Sequence, residues 1–181
     1  MLKSLIGFVV FFTTLLPAYA QMDKEHQPVT EKRDVDILLF GTSRHHGSPA
    51  GKFNENNPGF GFRVNTGTCF WEYFDCHVGA VYIAKNSVNG QLWSMVGGVK
   101  KDIFQVGRVT GLLGLEAGLA AYEFPLKGKT YYLPIALPYG ELKYSISKDT
   151  SFGVGKMWIP TGQGRSIEIT YFKFTLRKNF L

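Results

Sequence analysis

The chain has 181 residues, 45% of them hydrophobic and 15% aromatic, with 21 glycines and a formal net charge of +6. That composition is too apolar for a disordered chain and suits a single domain. The modest basic excess carries no nucleic-acid motif; it reads as solvated loops, or as attraction to anionic lipid phosphates.

Lys3 is followed by an apolar run from Leu5 to Leu16, then by Pro17 and Ala18-Tyr19-Ala20. This is the order of a charged n-region, an h-region and an A-x-A cleavage site, so residues 1–20 are expected to be a cleavable export signal. The run is too short to span a bilayer as a helix. No cysteine lies near the cleavage site, so no lipoprotein anchor is expected. Residues 21–34 are polar and include Pro28; they read as a flexible periplasmic lead-in.

The domain expected over residues 35–181 contains eight strand-like segments, at 36–44, 59–65, 74–84, 91–100, 108–122, 131–144, 151–158 and 167–176. Several alternate with a period of two. Phe60, Phe62 and Val64 oppose Gly61 and Arg63. Val78, Ala80 and Tyr82 oppose His77 and Gly79. Leu113, Leu115, Ala117 and Leu119 oppose Gly114, Glu116 and Gly118. The apolar set is expected to face lipid and the Gly-rich set the lumen. In the last segment the apolar residues switch face around Tyr171 and Phe172, which suggests an interface girdle or a bulge. Eight strands make the smallest ordinary outer-membrane barrel, too narrow for an open pore. A soluble lipocalin-like barrel or sandwich is the alternative with the same pattern. An all-β, eight-stranded antiparallel transmembrane barrel in the bacterial outer membrane is the expectation, as a monomer.

Cys69 and Cys76 lie close in sequence beside an expected hairpin turn. A bridge is the favoured reading and two free thiols the alternative; His77 alone does not complete a metal site. Both termini of an even-stranded barrel lie in the periplasm, so the segments after strands one, three, five and seven face outward. Ser43-Arg44-His45-His46-Gly47 and Lys85-Asn86-Ser87 then share one rim. His45 or His46 can act as a general base there, with Ser87 as its partner in acyl transfer. Pro134 and Pro138 cannot donate ladder hydrogen bonds; they mark either a local opening or a tolerated irregularity. Gly97, Gly114 and Gly118 either line a slot for an acyl chain or serve the coiling of a small barrel. Arg63, His77 and Glu116 read as a buried polar network, because charges in a lumen must pair.

Four segments together resemble the outer-membrane lipid A palmitoyltransferase family, the PagP type. Residues 52–62, Lys-Phe-Asn-Glu-Asn-Asn-Pro-Gly-Phe-Gly-Phe, are similar to that family's Arg-Tyr-Asn-Glu segment and Gly-rich second strand. Lys85-Asn86-Ser87 resembles its Lys-Asp-Ser segment. Residues 132–138 resemble its proline-rich strand, and Trp158-Ile159-Pro160-Thr161-Gly162 resembles its Tyr-Ile-Pro-Gly turn. The resemblance implies transfer of a palmitoyl-type chain from a phospholipid to lipid A of lipopolysaccharide, with no metal or cofactor and no nucleic acid as partner. It places the catalytic His at His45, with His46 the alternative, the Ser at Ser87, and the family's Asp at Asn86. Glu55 is the carboxylate that can take over an acid role, and His46, Glu55, Gly97, Pro134 and Pro138 are the expected substrate contacts. The chain departs from the family in Asn86, in a short lead-in without an amphipathic helix, and in the terminal residues 177–181. A non-catalytic barrel of the same shape, binding lipid or a surface partner, is the alternative that Asn86 favours.

Overall fold

The structure is a computed structural model, and it describes residues 32–47, 53–70, 72–162 and 165–179. The expected export signal and residues 21–31 of the lead-in lie outside the described residues. Eight strands follow in order: β1 (Lys32–His46), β2 (Asn56–Cys69), β3 (Phe74–Ile83), β4 (Leu92–Val106), β5 (Val109–Phe124), β6 (Lys129–Ser145), β7 (Thr150–Gly162) and β8 (Arg165–Asn179). Each pairs antiparallel with the next, and β8 returns to β1 to close a barrel. Closure is what lets strands cross lipid, because it leaves no open edge of unpaired backbone. The eight strands read from the sequence are all present, most of them longer at their ends. The first and last strands open and close at one mouth, together with the short turns at 70–73, 107–108 and 146–149. Cys69 and Cys76 form a disulfide across the first of these turns, with their Cα atoms 5.8 Å apart.

Outward positions carry Phe60, Phe62, Val78, Met95, Leu113, Leu115 and Leu119, all exposed, as expected of a lipid-facing belt. The interior has two layers. The layer nearer the turns is charged. Arg63 lies 2.5 Å from Glu116 and 2.6 Å from Glu141. Glu116 also holds His77 at 2.9 Å. Glu141 accepts from Tyr171 at 2.5 Å and binds Lys173, which lies 3.7 Å from Asp36. The Arg63 guanidinium sits over the Tyr139 and Tyr171 rings, at 4.5 and 5.4 Å. The expected network of Arg63, His77 and Glu116 is thus the core of a larger one. The outer layer is apolar: Leu38, Phe40, Val81, Ile83, Leu137, Met157, Ile169 and Tyr171 form one cluster, flanked by Leu92, Ile135, Ile159 and Ile167.

This layering corrects the reading of β8. The strand alternates without interruption, with Ile169, Tyr171, Lys173 and Thr175 buried and Phe172, Phe174 and Leu176 exposed. The apolar residues change sides because the outer half of this wall is apolar inside and polar outside. A register shift does occur here, but in β1, between Phe40 and Thr42.

The barrel is unevenly closed. Pairing of β6 with β7 runs from Ser145↔Ser151 up to Tyr139↔Met157 and stops there. Beyond it, residues 129–138 of β6 pair with β5, and residues 158–162 of β7 pair with β8. Pro134 and Pro138 lie on one side of this seam and Pro160 on the other. Proline is tolerated on a strand edge whose missing N–H faces no neighbour. The local opening read from the proline pair is therefore present as a break in the ladder.

Glu141 is the acceptor that Arg63, Tyr171 and Lys173 converge on. Glu141→Ala leaves two buried cations without it and should cost about 3–5 kcal/mol of stability. Urea unfolding in lipid vesicles measures this; an unchanged midpoint would show that the network does not hold the barrel.

Candidate active site at the outer rim

Two segments meet on the rim opposite the turns. The end of β1 carries His45, and the segment between β3 and β4 carries Ser87. Backbone bonds stitch them together through the lead into β2: Ser43 N donates to Glu55 O at 2.9 Å, Asn54 N to Ser87 O at 2.9 Å, and Ala84 N to Pro58 O at 2.9 Å. The Asn57 side chain adds a bond to Lys85 O at 2.8 Å. His45 Nε2 and Ser87 Oγ share a hydrogen bond of 2.9 Å. The imidazole stacks on Phe53, with ring centroids 4.6 Å apart and an interplanar angle of 16°. Its other nitrogen, Nδ1, lies 3.9 Å from Glu55 Oε1. Glu55 also accepts from the His45 backbone N–H at 3.4 Å. Tyr122, near the end of β5, also interacts with Ser87.

A hydroxyl hydrogen-bonded to an imidazole, with a carboxylate beside the other ring nitrogen, can serve chemically as a nucleophile and its base. Ser43 Oγ, His45 Nδ1 and Asn57 Oδ1 are buried polar atoms without hydrogen-bond partners among the described residues. Such atoms are uncommon in folded proteins; others among the described residues lie in the charged layer, at Arg63, Asn65, His77, Glu116 and Tyr139.

Asn86 does not join this group. It is buried, and its amide nitrogen donates to Gln91 O at 3.0 Å and Glu123 O at 2.9 Å. Its Oδ1 accepts from Val88 N at 2.9 Å and Gly90 N at 3.0 Å. Every polar atom of the side chain is spent on the β3–β4 segment and its tie to β5. The catalytic placement of Asn86 is therefore corrected to that of a loop anchor, and Asn rather than Asp is what two carbonyl acceptors require, because a carboxylate has no donor. His46 faces outward, away from Ser87, and His45 is the histidine of the pair. Gly97 is also corrected: Trp93, Met95 and Gly97 share the outward face of β4, so Gly97 does not line the lumen. Gly114 does face inward, where the Tyr139 ring fills the space beside it, and at Gly118 the backbone of Met95 approaches. These glycines permit close packing and leave no slot of their own. Pro134 and Pro138 flank the seam, one apolar cluster away from the rim pair.

Phe53 and Tyr122 escaped the sequence reading. Tyr122 was legible as an inward position of β5, in step with Glu116 and Ala120. Phe53 had no signal beyond its place beside Asn54 and Glu55.

The fold and the belt define a transmembrane barrel of the eight-stranded outer-membrane class. Among solved structures, the chain is similar to Ail, the attachment invasion locus protein of Yersinia pestis, with a TM-score of 0.50 and 11% identity, covering 82% of this chain and 99% of that one. It is also similar to Neisserial surface protein A, with a TM-score of 0.49 and 13% identity, covering 81% of this chain and 96% of that one. No protein-family model and no curated protein sequence matches the chain. The likeness to Ail establishes the barrel and nothing of its chemistry.

Asn86→Asp removes both donated bonds and sets a charge against two carbonyls. It should cost about 1–3 kcal/mol and loosen the segment that presents Ser87. Hydrogen exchange at Asn89 and Gly90 reads this directly; unchanged protection would show that these bonds do not anchor the segment.

Proposed function

We propose that this chain is an outer-membrane acyltransferase that moves an acyl chain of palmitoyl type from a phospholipid to lipid A. The observation that carries the reading is the 2.9 Å bond between His45 Nε2 and Ser87 Oγ on a rim above an apolar half-lumen. The broken β6–β7 ladder supports it, because it offers an acyl chain a way in from the side. The sequence resemblance to the PagP type supports the choice of donor and acceptor.

In this reading the ester carbonyl of the donor stands beside Ser87. His45 Nε2 takes the Ser87 hydroxyl proton as Oγ adds to the carbonyl carbon, and returns it to the glycerol oxygen as that ester bond breaks. A hydroxyl of the acceptor then attacks the acyl-serine by the same route, giving up its proton through His45 and regenerating Ser87. Glu55 stabilises the imidazolium that forms in each half. No metal or cofactor enters.

One observation favours a second reading, a non-catalytic barrel that binds lipid or a surface partner. Asn86 stands where the resembling family has its carboxylate, and Glu55 lies 3.9 Å from His45 Nδ1, beyond hydrogen-bond distance. Labelled phospholipid in vesicles that also contain lipid A separates the two. The enzyme reading expects label in lipid A, reduced by roughly 100-fold or more in His45→Ala and in Ser87→Ala. No transfer by the parent chain, beside an active control enzyme, leaves the binding barrel as the function.

A further inference from the structure

The outward face of β7 reads Phe152, Val154, Lys156, Trp158 and Pro160. Lys156 therefore interrupts a lipid-facing apolar series, and it does so at Lys156↔Gly140, one pair inside the point where the β6–β7 ladder ends. The neighbouring strands change character at the same register. On β8, Phe174 and Phe172 give way to Thr170 and Glu168; on β1, Ile37 and Leu39 give way to Thr42 and Arg44, with Thr170 paired to Lys156 and to Thr42. Across the seam, β6 keeps Leu142, Pro138, Ala136 and Pro134 outward and carries no charge there. A lysine on the lipid face of a barrel is costly unless it is partnered. Lys156 Nζ donates to Glu168 Oε1 at 2.6 Å. Glu168 also accepts from the Trp158 side chain, and it is paired across the ladder with Arg44.

We infer that Lys156, with Arg44 and Glu168, forms a headgroup site on the outer wall of the barrel that holds the phosphate of a lipid standing at the β6–β7 seam. Two cations against one carboxylate leave the patch net positive, which complements a lipid phosphodiester or phosphomonoester. The Lys156 stem is long enough to lift its ammonium toward the headgroup level, as Lys does near apolar surfaces. Glu168 holds the ammonium against the wall, so an arriving phosphate meets an ordered cation. The placement at the foot of the seam gives the site its use: a lipid anchored there has its acyl chains beside the unpaired edges of β6 and β7. The site goes beyond the proposed acyl transfer and does not depend on His45 or Ser87.

The test uses the full chain in vesicles, carrying W71F and W93F so that Trp158 is the remaining tryptophan of the three. Quenching of Trp158 is compared between brominated phosphatidylglycerol and brominated diacylglycerol, which lacks phosphate. The expected result is a preference for the phosphate-bearing lipid that falls roughly five-fold in K156M. K156R keeps the preference, and a heat-modifiable gel shift confirms that each variant folds. Equal quenching by both lipids in the parent overturns the site, as does a preference that survives K156M or is lost in K156R. Inorganic phosphate at matching concentration should leave the preference intact; if it abolishes it, the site takes free phosphate and the lipid assignment falls. H45A must retain the preference, which keeps this result separate from any failure of the acyl-transfer reading.

Discussion

A strand that crosses lipid must hand its backbone N–H and C=O groups to a neighbour, because the hydrocarbon offers no other partner. In the outer half of this barrel the ladders run to the end of the shorter described strand at every interface but one. Between β6 and β7 the ladder stops at Tyr139↔Met157. Several other features of this chain are arranged around that exception. The prolines remove donors that would have no acceptor. The apolar half-lumen lies behind the gap. A lysine sits at its foot on the outside, and the His45–Ser87 pair sits on the rim above.

A barrel open on one side needs to be fastened elsewhere, and the charged layer supplies the fastening. Glu141 projects from β6 one inward position beyond Tyr139, on the paired side of the break. It reaches Arg63 of β2 and Tyr171 and Lys173 of β8. These bonds cross the lumen and do not run around the wall, so the lower half of β6 is held whether or not its outer half pairs with β7. Arg63 in turn lies against Glu116 of β5, and Glu116 against His77 of β3. Buried ion pairs seldom add much net stability, yet removing one partner is strongly unfavourable. That asymmetry makes the layer a lock: it fixes which residues face inward and at what register.

The period-two alternation of β2, β3 and β5 was enough to reveal a barrel, because lipid outside and a narrow lumen inside impose opposite chemistry on successive residues. The rim site was legible in part for the same reason. Once strands are counted, topology alone puts the ends of β1 and β3 on one side, and His45 and Ser87 follow. What alternation does not reveal is which way a polar side chain turns at a strand end. Asn86 and Ser87 are adjacent in sequence, yet one is consumed by backbone groups of its own loop and of β5 and the other faces the histidine. Gly97 was misplaced because β4 has glycine at both 97 and 98, and a Gly-Gly pair carries no parity. The last strand was misread because the interior is not uniform: its outer half is apolar, so Ile167, Ile169 and Tyr171 point inward where the lower half has Lys173 and Thr175. Glu141 and Lys173 stand at inward positions of β6 and β8 and were available to the same reasoning that found Arg63 and Glu116.

The claim that joins these features is that a lipid acyl chain enters through the β6–β7 seam into the apolar half-lumen below His45 and Ser87. A phospholipid with a photoreactive group near the end of its acyl chain, activated in vesicles containing the protein, records where that chain lies. Adducts on the inward residues Ile135, Leu137 and Ile159 are the predicted result. Adducts confined to outward residues such as Leu115, Leu119 and Phe172 would show that lipid stays outside the wall, and the seam would then be a break in the ladder without a lipid path.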